Sequence, residues 1–155
     1  MLKSTLYFLV FLVLNFGALA LGGFLMGESP ATNEWYQSQN LAPWTPPGWV
    51  FGAAWTTIML LFSLYMTNLW KKHPTKSNAL IYGIHLLLNI AWNPVFFQFH
   101  LVTAGLVILI SLFSVIVINH SKNFGFNSLF GLMILPYCLW LCIAFSLNLY
   151  VLLNN

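Results

Sequence analysis

Acid–base and nucleophilic chemistry need titratable groups set close together, and this sequence offers few. Glu28 and Glu34 are its only carboxylates, both in one segment, and it holds no Asp and no Arg. A Ser–His–Asp triad therefore lacks its acid, and no HExxH, phosphate-binding glycine loop or CxxC occurs. Cys138 and Cys142 lie in an apolar run at a spacing that shares one helical face. With no His or carboxylate nearby in sequence, they are expected as small buried packing residues and not as metal ligands. No metal and no required cofactor is expected. His85 is the one imidazole well inside an apolar run, where a neutral ring bonded to a neighbouring helix is the expected role.

Rings and amides remain, and their spacing is regular. In "HLLLNIAWNPVFF", His85, Asn89 and Asn93 recur every four residues, and Phe96 continues that face. Pro94 removes a backbone donor and can free the carbonyl of Ile90. In "PYCLWLCIAFSLN", Pro136, Trp140, Ala144 and Asn148 follow the same spacing. Gly48, Gly52, Trp55 and Met59 form a third stripe. Polar groups inside apolar helices are site candidates, although Asn also joins membrane helices by hydrogen bonds. Three stripes that each mix a ring, a small residue or proline and a polar group would line an apolar pocket with a few polar anchors.

The elements that must hold these stripes follow from composition. The 155 residues are 60% hydrophobic and 5% charged, against about a quarter charged in soluble domains. Residues 1–155 are therefore read as a single all-α transmembrane domain. A span needs about 20 apolar residues, and five windows qualify: Thr5–Met26, Gly48–Trp70, Asn78–Phe99, Val102–Asn119 and Asn127–Leu153. With five spans, Lys3, Lys71, Lys72, Lys76 and Lys122 share one side and both glutamates the other. Lysine-rich short loops stay cytoplasmic, so the N-terminus is expected inside and the C-terminus outside in a bacterial plasma membrane. The formal charge of +3 thus concerns topology and implies no nucleic acid. Lys3, the apolar run and "ALA" at 18–20 also fit a secretory signal cleaved before Leu21; apolar residues continue through Met26, which favours a retained span. The connection from Gly27 to Pro47 carries "NLAPWTPPGWVFGAAW" at its end. A passive interfacial belt accounts for some of its rings, but not for Pro43, Pro46 and Pro47, which stiffen it. It is expected to be an ordered lid over the pocket.

The segments "EWYQSQNLAPWTPPGWVFGAAW", "NIAWNPVFF" and "PYCLWLCIAFSLN" together resemble the TspO/MBR family, from about Glu34 to Asn148. That family includes the tryptophan-rich sensory proteins and the mitochondrial translocator protein, or peripheral benzodiazepine receptor. The resemblance implies a five-helix bundle whose first loop folds over a ligand pocket. It implies porphyrin or haem as ligand, and sterols and benzodiazepine-type compounds in animals. Carried over by motif, Trp55, Asn93 and Trp140 would line the pocket, with Tyr36 and Trp44 from the lid. Trp35 matches the family's loop tryptophan, Ala144 a position linked to ligand effects and Asn148 the family's L-N. Tyr150 is followed only by "VLLNN", without the basic residue of the translocator's proposed sterol motif, and no basic residue follows the paired prolines.

Three functions follow as expectations. The first is a membrane receptor or carrier for a hydrophobic aromatic ligand, above all a tetrapyrrole, bound through Tyr36, Trp44, Trp55, Asn89, Asn93, Phe96, Trp140, Ala144 and Asn148. The second is an enzyme of light- and oxygen-dependent porphyrin breakdown, an activity the resemblance implies, with Trp35 and Trp44 as candidate catalytic residues. The third is an assembly role, with Gly23 and Gly27 or Ala79 and Gly83 bringing helices together, including into a homodimer. The lipid bilayer is the partner common to all three.

Overall fold

A computed structural model describes residues 2–125 and 128–155. Its long helices are α1 (Leu2–Met26), α3 (Gly48–Lys72), α4 (Lys76–Asn93), α5 (Val102–Phe124) and α6 (Gly131–Asn154), with the short α2 (Glu34–Ser38) in the first connection. No strand occurs among the described residues. Five helices are long and apolar enough to cross a membrane, α4 together with the turn that follows it. At 1.5 Å per residue, α3 rises about 37 Å, enough for a hydrocarbon core of about 30 Å.

Local chemistry sets the ends. α1 begins at Leu2, ahead of the expected Thr5. α4 begins at Lys76 because Thr75 caps it, its hydroxyl accepting the Asn78 N–H at 3.2 Å. α5 runs past the expected Asn119 because amides continue it: Asn123 Nδ2 donates to the Asn119 carbonyl at 2.8 Å and to Asn78 Oδ1 at 3.1 Å. Gly125, at φ 73°, then ends it. The expected start of the last span at Asn127 lies outside the described residues, and α6 itself starts at Gly131.

Pro94 marks a change of winding. Having no N–H, it cannot continue the α pattern, and residues Pro94–Gln98 form a π-type turn. His100 follows at φ 57°, a left-handed conformation that costs a residue with a β-carbon energy. The Trp35 ring stacks on its imidazole at 4.2 Å.

The helices close into a ring. α1 packs on α3 and α4, α4 on α5, α5 on α6, and α6 back on α3. Met59, Phe62, Tyr65, Leu112 and Tyr137 fill the interior, almost wholly buried. Many large apolar side chains face outward, among them Val13, Phe24, Leu87 and Leu153, as lipid contact requires. All five lysines sit at one end of the ring, and Glu28, Glu34 and the C-terminus at the other.

One polar junction fixes α1. Asn15, fully buried, donates from Nδ2 to Ser63 Oγ at 2.9 Å and accepts the Tyr82 hydroxyl at 2.8 Å. It ties α1 to α3 and α4 at once. Gly22 provides the close approach: a β-carbon there would stand 3.3 Å from the Ile90 carbonyl oxygen on α4. Gly23 and Gly27 are not part of this contact within one copy. Gly23 faces open space, and Gly27 turns the chain at φ 82°.

Candidate functional site

The connection between α1 and α3 is ordered and folded over the end of the ring. Asn33 caps α2, its side-chain oxygen accepting the Tyr36 N–H at 2.8 Å, and Gln37 Nε2 donates to the Pro30 carbonyl at 2.8 Å. Tyr36 is buried edge-on against Phe97 at 5.3 Å and Phe96 at 6.0 Å. Burial raises its phenol above the ordinary value of 10.0. Two contacts latch the far half of the lid to α6. The Asn40 N–H donates to Asn155 Oδ1 at 2.7 Å, and the Trp44 indole N–H donates to Ser146 Oγ at 3.2 Å.

Under the lid, between α1, α3 and α4, lies a cavity of about 300 Å³. Leu19, Gly23 and Met26 of α1 form one wall, and Phe51, Gly52, Trp55 and Thr56 of α3 another. Trp92 and Asn93 of α4 and Phe97 of the π-type turn close the back, and Pro30 roofs it. Gly23 and Gly52 leave open space where side chains would stand, so the α1–α3 seam is the cavity's opening toward the lipid side. The walls are apolar, with few polar groups. The Asn93 amide is one; the Trp92 ring also lines the space, but its indole N–H is buried away from it and has no hydrogen-bond partner among the described residues. No lysine lines the cavity.

The expected site residues divide into groups. Trp55 and Asn93 line the cavity, with Gly52 of the same stripe as Trp55. Trp140 stands behind it, its ring edge-on to Phe51 at 5.3 Å. Tyr36 and Phe96 form the aromatic layer between lid and bundle, where Phe96 also stacks on Trp92 at 5.9 Å. Asn89 turns instead to the interior. Its Nδ2 donates to the Tyr137 hydroxyl at 2.7 Å, and the same hydroxyl pairs with His85 Nε2 at 3.0 Å. Ala144 and Asn148 are buried along α6, and the Asn148 amide lies against Gly105 and has an unpartnered Nδ2 among the described residues. Trp35 is held by His100 and Phe96, while Trp44 rests on the outside of α6, edge-on to Tyr150 at 5.4 Å. Neither tryptophan lines the cavity. The two cysteines differ from the expected buried pair: Cys138 is half-buried and Cys142 is exposed on the outer face of α6, where lipid takes the place of protein packing.

Trp92, Phe51 and Phe97 complete the cavity without having been singled out from sequence. Trp92 precedes Asn93 and sits off the four-residue stripe, so only the winding change at Pro94 brings its neighbour Phe97 to the same space.

The sequence model of the TspO/MBR family matches residues 8–153. The chain belongs to the TspO/MBR family. Among similar proteins is the "Tryptophan-rich protein TspO" of Archaeoglobus fulgidus, 30% identical over 143 residues, covering 86% of this chain and 87% of the relative. The "Tryptophan-rich sensory protein" of Cereibacter sphaeroides is 29% identical over 116 residues, 75% and 73% of the two chains. The "Translocator protein" of Sus scrofa is 27% identical over 143 residues, 88% and 85% of the two. With five apolar helices in the ring, this TspO/MBR protein is an integral, multi-pass membrane protein.

Proposed function

We propose that this TspO/MBR protein is a membrane receptor or carrier for a hydrophobic aromatic ligand, a porphyrin or haem-type tetrapyrrole above all, taken into the cavity under the lid. The observation that carries the reading is that cavity: apolar, ring-lined, with the Asn93 amide in its walls. At about 300 Å³ the space stands at the small end of small-molecule pockets. A macrocycle is therefore held with one edge toward the α1–α3 seam. Its carboxylates stay in water, since burying them away from any cation costs several kcal/mol.

Titration of protoporphyrin against tryptophan fluorescence tests the reading. Trp55→Ala removes a ring from the cavity wall and should weaken binding about tenfold or more. Trp140→Ala acts only through Phe51 and should weaken it less. Wild-type affinity in both variants would sink the proposal. The same reading places the lysine end in the cytoplasm of a bacterial cell, on the positive-inside argument; cysteine labelling at Lys76 against Gln39 from either side checks it. A homodimer through the open face around Gly83 of α4 belongs to the proposal too, and cross-linking of Gly83→Cys tests it.

A further inference from the structure

Seven asparagines are buried among the described residues, and one of them has nothing to bond. Asn15, Asn33, Asn78, Asn89 and Asn119 each make a side-chain hydrogen bond. Asn148 makes none, and its Nδ2 is sealed off in the packing. Asn93 differs from all six. It is only 9% exposed and makes no side-chain hydrogen bond among the described residues, yet both its amide atoms stay open to the cavity under the lid. Asn89, on the same face, reaches the Tyr137 hydroxyl. One turn further on, Asn93 meets Gly22 of α1, where a β-carbon would stand 2.8 Å from Nδ2. Glycine offers the amide no side-chain partner, and neither do Leu19, Phe51 and Phe97 around the same space.

A side-chain amide presents an N–H donor and a carbonyl acceptor side by side. In an apolar cavity, a ligand that covers either one without bonding it loses free energy. An acceptor alone serves Nδ2 and leaves Oδ1 unpaired, and a donor alone does the reverse. The cis-amide of a lactam ring sets its own N–H beside its own carbonyl, so it meets both atoms in two parallel bonds and carries no charge. An ionised carboxylate has no donor, and no lysine lines the cavity to offset its charge. A nucleobase has a similar edge, but its other polar groups would lie unpaired against apolar walls. At about 300 Å³ the space suits a flat body of fused rings set against Trp55 and Phe51.

We propose that this cavity takes a second class of ligand beside tetrapyrroles, a flat apolar ring system fused to a lactam with a free N–H, and that Asn93 is the residue that selects it. Nδ2 donates to the ligand carbonyl, and Oδ1 accepts the ligand N–H. The inference rests on the cavity being a ligand site and names the chemistry that its one free amide recognises. A porphyrin edge carries no such pair of groups, so the two classes share the ring-lined walls but only the lactam engages Asn93.

The test is an NMR titration of the full chain, labelled with ¹⁵N-asparagine in micelles, against 2-quinolinone and 1-methyl-2-quinolinone. The two probes share a ring body and a carbonyl, and only the first has the N–H. The side-chain amide signals of Asn93, assigned by their loss in Asn93→Leu, should move downfield with 2-quinolinone. The wild type should bind 2-quinolinone about tenfold more tightly than the methylated probe. Asn93→Leu, which keeps bulk but loses both polar atoms, should erase that preference, and Gly52→Phe, which fills the space, should abolish binding of both. Circular dichroism and thermal transitions verify that the variants fold, and the two-probe comparison in the wild type stands without them. Equal affinity for the two probes, an unmoved Asn93 signal at saturation or a preference that survives Asn93→Leu overturns the proposal, as does a wild type that binds neither probe. If both probes bind equally and Gly52→Phe removes both, the lactam claim falls while the cavity remains a ligand site. If Gly52→Phe leaves both probes and protoporphyrin bound as in wild type, the reading of the cavity falls with it.

Discussion

Adding one methyl group at each of two adjacent glycines separates packing from propensity in α1. A β-carbon on Gly22 stands 2.8 Å from Asn93 Nδ2, 3.3 Å from the Ile90 carbonyl oxygen and 3.4 Å from Ile90 Cα. The Asn93 amide can swing aside, but the Ile90 backbone cannot, so α1 must move off α4. A β-carbon on Gly23 meets nothing within 4 Å. Overpacking of this kind costs about 1–3 kcal/mol. Both substitutions also gain about 1 kcal/mol of helix propensity, a gain that cancels when the variants are compared. Gly22→Ala should therefore be about 1–3 kcal/mol less stable than Gly23→Ala, measured by reversible unfolding in mixed micelles. Because Asn93 lines the cavity, Gly22→Ala should also weaken protoporphyrin binding. If Gly22→Ala proves as stable as Gly23→Ala, α1 does not press on α4 as described, and the reasoning fails.

Further outcomes follow from individual contacts. Asn15→Ala strands the Tyr82 hydroxyl and should destabilise the bundle by about 1–3 kcal/mol; adding Tyr82→Phe should restore part of the loss in a double-mutant cycle. Trp44→Phe keeps the ring beside Tyr150 but loses the hydrogen bond to Ser146. It should cost about 0.5–1.5 kcal/mol and speed hydrogen exchange in residues 29–47, leaving the long helices unchanged. Tyr36 has a raised phenol pKa, so the folded lid favours the neutral form. Its contribution is whole below the ordinary value of 10.0 and is lost as pH climbs through the folded value. Lid opening, followed by tryptophan fluorescence, should increase above pH 10, and Tyr36→Phe should flatten that dependence.

Much of this architecture was written in local chemistry. Span count and the clustering of lysines came from hydropathy and charge. Spacing also put Trp55 and Asn93 on faces that meet at one space. Spacing alone could not say which neighbour a face meets. Asn89 shares the face of Asn93 but one turn deeper, where the Tyr137 hydroxyl of α6 takes its amide. Trp140 was reached by a stripe that touches the cavity only through Phe51. Asn15 stands alone in an apolar run, and its partners Ser63 and Tyr82 come from helices far along the chain. Gly23 and Gly27 have the familiar spacing, but the rotation of α1 turns Gly22 to α4.

The cavity's role as the ligand site is tested most directly by filling it. Gly52 lines it, and a β-carbon there meets no other residue within 4 Å, so a larger side chain can start into the cavity. Gly52→Phe should leave unfolding in micelles no worse than wild type while reducing protoporphyrin affinity at least about tenfold. Undiminished affinity in a folded Gly52→Phe protein would contradict the account.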